Sequence, residues 1–252
     1  MSMSEKAKNV RESELMENVR TVGYALLIAL VIRTLFFQPF NIPSASMEST
    51  LLVGDYLFVS KYAYGYSKHS LPFSPPVFSG RILGSQPERG DVIVFKLPTD
   101  NRTDYIKRLV GLPGDEIQVT DGVLHVNGVA VKRERVDDYV HQDQWGNMKR
   151  VARYRETLPS GVTYTTLDRE TSGRYDNTQV YTVPEGHYFM MGDNRDNSSD
   201  SRASNVVGFV PFENLVGRAQ VIFFSTDGSA RLWQFWRWFS AARWDRFFTG
   251  ID

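Results

Sequence analysis

Cysteine is absent from the 252-residue chain. Disulfides, thiolate metal sites and a Cys nucleophile are thereby excluded. Histidine is scarce: His69, His125, His141 and His187 are the full set. No two stand at the spacing of a HExxH zinc site. An enzyme built on this chain must draw on Ser, Thr, Lys or carboxylates. An excess of either charge is also lacking, with 29 Lys+Arg against 29 Asp+Glu and a pI near 6.9. Nucleic-acid binders ordinarily carry a basic excess, so no nucleic-acid partner is expected. A hydrophobic content of 42% with 23% charged residues is not that of a disordered chain. The length suits one large β-rich domain or two smaller ones. No internal repeat is visible.

Only one long apolar run is present. Residues 1–20 are polar, with four bases (Lys6, Lys8, Arg11, Arg20) and four acids (Glu5, Glu12, Glu14, Glu17). Composition then switches, and Val22 to Phe37 carries a single charge, Arg33. Sixteen helical residues cover roughly 24 Å, somewhat short of the roughly 30 Å hydrocarbon core. Arg33 stands near the end of the run, where it could snorkel to headgroups. Gln38-Pro39 stops the helix. Three readings compete: a buried core helix, a cleaved signal peptide ending near Ser44-Ala45-Ser46, and an uncleaved anchor over residues 21–38. The long, half-acidic leader and the distance from the run to that triplet favour the anchor. Four bases precede the span, and after Arg33 the next is Lys61. That asymmetry places the N-terminus in the cytoplasm and residues from about 40 onward outside.

From Phe40 the pattern is that of strands: Tyr56–Val59, Val92–Phe95, Tyr105–Val110, Ile117–Val119, Leu124–Val126, Val129–Val131, Gln179–Thr182, His187–Met191 and Leu215–Phe224. Asp121-Gly122 and Asn127-Gly128 fill gaps between them, and such pairs favour tight hairpin turns because both positions tolerate positive φ. The expected fold class is mainly β and antiparallel, over residues 39–229. Residues 66–88, rich in Ser, Pro and Gly, read as an extended loop or ribbon. Residues 132–178 are polar without clear period and read as a surface insertion.

Three constellations could carry chemistry. Pro43-Ser44-Ala45-Ser46-Met47 follows the span; alone, it is as readily a turn or N-cap as a nucleophile. Lys107 lies between Ile106 and Arg108, and strand alternation puts it on the face of Tyr105 and Leu109; alone, it is a solvated edge-strand lysine. Met191 to Arg202 is dense in Asp, Asn, Ser and Arg; it lacks the Gly and terminal Glu of an EF-hand loop.

Together these blocks resemble bacterial type I signal peptidases, membrane-bound Ser/Lys proteases. The resemblance covers about Phe40 to Ala219 through four motifs in order: PSASM, RGDVIVF (Arg89–Phe95), DYIKRLVGLPGD (Asp104–Asp115) and GDNRDNSSDSR (Gly192–Arg202). It implies a coiled antiparallel β-sheet with an inserted second β region. It implies Ser46 as nucleophile, Lys107 as general base, and Ser44 with the Ser46 amide as oxyanion hole. Ser198 would orient the lysine, Asp200 and Arg202 would support it, and Phe40, Ile42, Tyr105 and Ile106 would wall shallow pockets. It further implies a monomer, with no metal or cofactor, acting on signal-peptide-bearing preproteins beside membrane lipid at the bacterial inner membrane. Two positions depart from the family: Ser49, where proline is common, and Glu48, an unusual charge.

The chemistry has a physical requirement. Lysine with a pKa of about 10.4 is neutral in about one molecule in a thousand near pH 7.4. Burial against apolar neighbours lowers that pKa. Two other functions compete. A soluble self-cleaving repressor should show an N-terminal DNA-binding domain in place of the span. An anchored non-enzymatic β-domain should leave Ser46 and Lys107 far apart, or Lys107 exposed. Residues 230–252 are expected as an amphipathic tail in which Trp233, Trp236, Trp238 and Trp244 interleave with Arg231, Arg237, Arg243 and Arg246. That pairing suits the membrane–water interface, with packing on the domain as the alternative.

Overall fold

The computed structural model describes residues 3–142, 147–170, 172–230 and 233–251, without the side chains of residues 3–13 and 142. One helix, α1, runs from Met3 to Leu35. The expected span over residues 21–38 therefore has no boundary at its polar end, since Glu, Lys, Arg, Met and Leu all favour helix. It ends three residues early, where Phe37–Asn41 begins an extended strand that accommodates Pro39. The segment Glu14–Leu35 has a mean hydropathy of 1.6, and none of its apolar window is buried. Apolar side chains exposed around a helix in this way call for lipid as their surroundings.

Sixteen strands follow among the described residues. The first sheet contains β1 (Phe37–Asn41), β2 (Asp55–Ser60), β3 (Val92–Lys96) and β4 (Asp104–Gly111). The second begins with β5 (Glu116–Thr120), β6 (Val123–Val126) and β7 (Val129–Ala130), and the third with β8 (Lys132–Arg135), β9 (Tyr139–Gln142), β10 (Met148–Thr157) and β11 (Thr163–Asp168). Then come β12 (Tyr181–Thr182), β13 (His187–Met191), β14 (Val210–Pro211), β15 (Leu215–Ser225) and β16 (Thr249–Gly250). The first sheet has the order β1-β2-β15-β3-β4-β13-β14, with β16 also on β15; the second is β12-β5-β6-β7; the third is β11-β10-β8, with β9 on β10. Every strand pair is antiparallel among the described residues.

The first sheet curls, so its distant strands share one core. Ile42 and Met47 after β1 pack with Leu57, Val59, Val92, Val94, Val216, Ala219 and Ile222, and Phe40 and Ile106 lean on the same cluster. This curl carries the turn after β1 across to β4, though three strands separate β1 and β4 in the sheet. A second core beneath β4 and β13 joins Val110, Ile117, Val119, Leu124, Phe189 and Met191. The Asp-Gly and Asn-Gly turns are as expected: Asp121, Gly122, Asn127 and Gly128 all have φ between 47° and 76°.

The polar stretch 132–178, expected as an insertion, carries the four strands of the third sheet. Its strands hide from pattern reading because their interior is ionic. Glu156 and Thr166 are fully buried. Arg195 donates to Glu156 through both terminal nitrogens, at 2.8 and 2.5 Å, and the Tyr164 hydroxyl donates to it at 2.9 Å.

The tail is only partly helical. Helix α2 covers Phe235–Ala241, and the chain then folds back. Arg246 pairs with Asp55 at 2.5 Å, β16 joins β15, and Ile251 enters the main core. Trp233, Phe235, Trp236, Trp238, Phe239, Trp244 and Phe248 remain exposed. Arg231 lies outside the described residues.

Candidate active site

Ser46 sits in a single 3-10 turn, Ala45–Met47, directly after β1. Two anchors hold that turn. Met47 is fully buried in the core. The loop after β13 grips the backbone: Asn194 donates its N–H to the Ser46 carbonyl at 3.1 Å and its side-chain amide to the Ala45 carbonyl at 2.9 Å. Lys107 lies on β4, whose residues from Lys107 to Gly111 are all buried.

The curl brings the two side chains together. The Lys107 Nζ donates to the Ser46 Oγ at 2.6 Å and to the Ile106 carbonyl at 2.8 Å. Lys107 is 3% exposed and Ser46 8%. Burial lowers the Lys107 pKa from 10.5 to about 8, against the opposing pull of Asp200 and Asp193. The amine also stands 5.3 Å over the Tyr105 ring, as the strand alternation implied. Ser44 Oγ is 3.5 Å from Ser46 Oγ. Phe40, Ile42, Tyr105 and Ile106 line the same cleft of about 450 Å³ as Ser44, Ser46 and Lys107.

Asp200 and Arg202 form a two-pronged ion pair, with nitrogens 2.9 and 2.8 Å from the carboxylate. Burial works to raise the Asp200 pKa; the Arg202 guanidinium overrides it and holds the carboxyl below its usual range. Ser198 makes no hydrogen bond to the lysine among the described residues. Its hydroxyl lies near enough to Asp200 to favour the ionised carboxylate but makes no hydrogen bond of normal geometry among the described residues. The Ile106 carbonyl holds Lys107 instead. Ser198 also packs against Gly192 so closely that a Cβ there would collide with its hydroxyl.

Several residues went unread in the sequence. Arg108, next to Lys107, is fully buried and grips Asp193 through two nitrogens at 3.0 and 2.9 Å. Thr50 donates to the same carboxylate at 2.6 Å. The signal was present: a charge on a strand buried on both faces requires an opposite charge, and Met191 to Arg202 supplies carboxylates. Glu48, the odd charge, is neutralised locally. It accepts from Tyr139 at 3.1 Å, from Arg169 at 3.1 Å and from Asn194 at 3.2 Å. Ser49 has φ of 98°, a conformation closed to proline, and its hydroxyl bonds to Thr165 across the fold.

The arrangement is that of an activated serine: hydroxyl, adjacent amine of lowered pKa, and an open cleft with apolar walls. The family described as signal peptidase, peptidase S26, matches residues 15–224. A signal peptidase I of Rickettsia typhi is 47% identical over 211 residues, 81% of this chain and 78% of its own length. That of Rickettsia canadensis is 45% identical over 215 residues, 82% of this chain and 79% of its own length. A solved signal peptidase I structure from Enterococcus faecalis V583 is 30% identical, covering 53% of this chain and 97% of its own, with a TM-score of 0.32. With the family match spanning most of its length, the chain belongs to the signal peptidase family, peptidase S26, the enzymes that remove signal peptides.

Proposed function

We propose that Ser46 and Lys107 perform the cleavage of preproteins, as nucleophile and general base. The observation that carries this is the 2.6 Å contact between a buried amine and a serine hydroxyl on the floor of the cleft. Ser46 Oγ attacks the scissile carbonyl while Lys107 takes its proton, then returns it to the leaving amine. The acyl-enzyme is released by water, with the same amine as base. The Ser44 hydroxyl and the Ser46 N–H donate to the oxyanion; such donors are worth about 3–4 kcal/mol each. Asp200, Arg202 and Ser198 fix the floor beneath Lys107. No step calls for a metal or cofactor.

Phe40, Ile42, Tyr105 and Ile106 are bulky walls that leave shallow depressions. Small residues, Ala above all, fit at the positions one and three before the cut. The chain is membrane-associated through α1. In our reading it crosses the inner membrane once, its N-terminus cytoplasmic, and works as a monomer outside. A cleavage site just beyond the substrate's own apolar segment then meets an active site about ten residues beyond the enzyme's span, which raises effective concentration. The exposed Trp and Phe of the tail suit the outer interface.

The test is cleavage of a preprotein in detergent by wild type, Ser46→Ala and Lys107→Arg. Both variants should be inactive while folded, because guanidinium does not deprotonate in this range. Substantial cleavage by either would refute the assignment.

A further inference from the structure

Beside the Ser46–Lys107 cleft lies a second cavity of about 360 Å³. Phe40 and Asp104 border both. Its walls are the end of α1 (Arg33, Thr34), Gln38 and Lys61, the loop Ser70 to Ser74, and the β3–β4 hairpin with Lys96 and Arg102. Four cations thus face one carboxylate, Asp104, and that carboxylate is taken by Lys96 at 2.8 Å.

The other three cations are unbalanced. Lys61 is 2% exposed, yet among the described residues its Nζ donates only to neutral acceptors, the Ser70 carbonyl at 2.7 Å and Gln38 Oε1 at 3.0 Å. Among the described residues Arg33, Lys61 and Arg102 form no ion pair. Burial and then the nearby Arg33 charge lower the Lys61 pKa to about 8, against the opposing pull of Asp104; burial and neighbouring like charge both disfavour the ammonium. Buried His69 also lines the cavity; its Nδ1 is 3.0 Å from Ser74 Oγ, and among the described residues its Nε2 has no hydrogen-bond partner.

The cavity's depth is set by α1. Tyr66 donates its hydroxyl to the Leu35 carbonyl at 2.8 Å, and the Lys61 N–H donates to Phe36 at 2.9 Å. Both contacts tie the cavity to the point where the apolar helix ends. If α1 spans the bilayer, as read above, this is headgroup depth, where lipid phosphates lie and Arg and Lys are stabilised. We propose that the cavity binds the phosphodiester of a phospholipid headgroup, with Arg33, Lys61 and Arg102 as its cations and the acyl chains alongside α1. A lipid seated there fills the wall next to the cleft and fixes the height of Ser46 above the membrane.

The full-length protein in neutral detergent should be titrated with phosphatidylglycerol and followed by native mass spectrometry. Wild type should retain one lipid per chain, and diacylglycerol, which lacks the phosphate, should not be retained. Arg33→Gln/Arg102→Gln should bind about 30-fold more weakly, at about fivefold per surface cation. Arg102→Gln alone, on an exposed side chain, should lose about fivefold and serves if the double variant folds poorly. Both variants should still cleave a short soluble peptide. Equal retention by wild type and variants, equal retention of diacylglycerol, or displacement by millimolar inorganic phosphate would each overturn the proposal; the last would mark a site for free anions. Failure of wild type to cleave the peptide would count instead against the Ser46–Lys107 assignment, leaving the lipid result to stand or fall separately.

Discussion

Lys107→Met should stabilise the fold near neutral pH while abolishing activity. Lys107 is 3% exposed, and burial lowers its pKa from 10.5 to about 8. Below pH 8 the amine is protonated in folded and unfolded chains alike, so the folded protein bears the full cost of a buried ammonium. The drop from 10.5 to about 8 corresponds to roughly 3 kcal/mol. Between those two values the unfolded chain binds more protons, so wild-type stability rises with pH across that window and gains nothing more above it. Met removes this dependence. It also leaves Ser46 Oγ and the Ile106 carbonyl without the amine, at about 1 kcal/mol each. The variant should therefore be about 1 kcal/mol more stable at pH 7 and about 2 kcal/mol less stable above pH 10.5. Urea denaturation in detergent, followed by near-ultraviolet circular dichroism at several pH values, reads the difference. Lys61, also lowered by burial to about 8, is common to both proteins and cancels. A difference that stays constant from pH 7 to 10.5 would refute a lowered Lys107 pKa.

Asp193→Asn should weaken the fold by about 3–5 kcal/mol, because it strands the buried Arg108 guanidinium; a thermal melt no lower than wild type would contradict that clamp. Ser49→Pro should destabilise by more than about 1 kcal/mol, since proline cannot adopt φ of 98°. Ser49→Gly should lie within about 1 kcal/mol of wild type, as relieved strain offsets the lost Thr165 bond. Equal melts for the two Ser49 variants would sink the backbone argument.

Much of the site was legible because its chemistry is concentrated in short motifs. Ser46, Lys107, Asp200 and Arg202 stand within PSASM, DYIKRLVGLPGD and GDNRDNSSDSR, and the fold brings those motifs to one place. Strands β2, β3, β4, β13 and β15 of the main sheet and the hairpin turns were legible too, since each follows an apolar run or an Asn/Asp-Gly pair; the short β1, β14 and β16 were not. The third sheet was not, because Glu156, Tyr164 and Arg195 fill its interior with charge where a pattern search looks for apolar alternation. The reach of β1 across to β4 was equally hidden. Sheet curl accumulates from the twist between neighbouring strands, and no single segment encodes it. The tail's anchoring was hidden in a different way: its Trp and Arg were plain, but Arg246 answers to Asp55 and Ile251 to the main core, contacts set by distant residues.

The pH dependence of kcat/KM on a short peptide, with Ser46→Ala as the blank, tests the Ser46–Lys107 mechanism most directly. An amine base with a pKa of about 8 should give a rate that climbs about tenfold per pH unit below that value and levels above it. A profile flat from pH 6 to 9, or one that rises only beyond pH 10, would contradict Lys107 as the base.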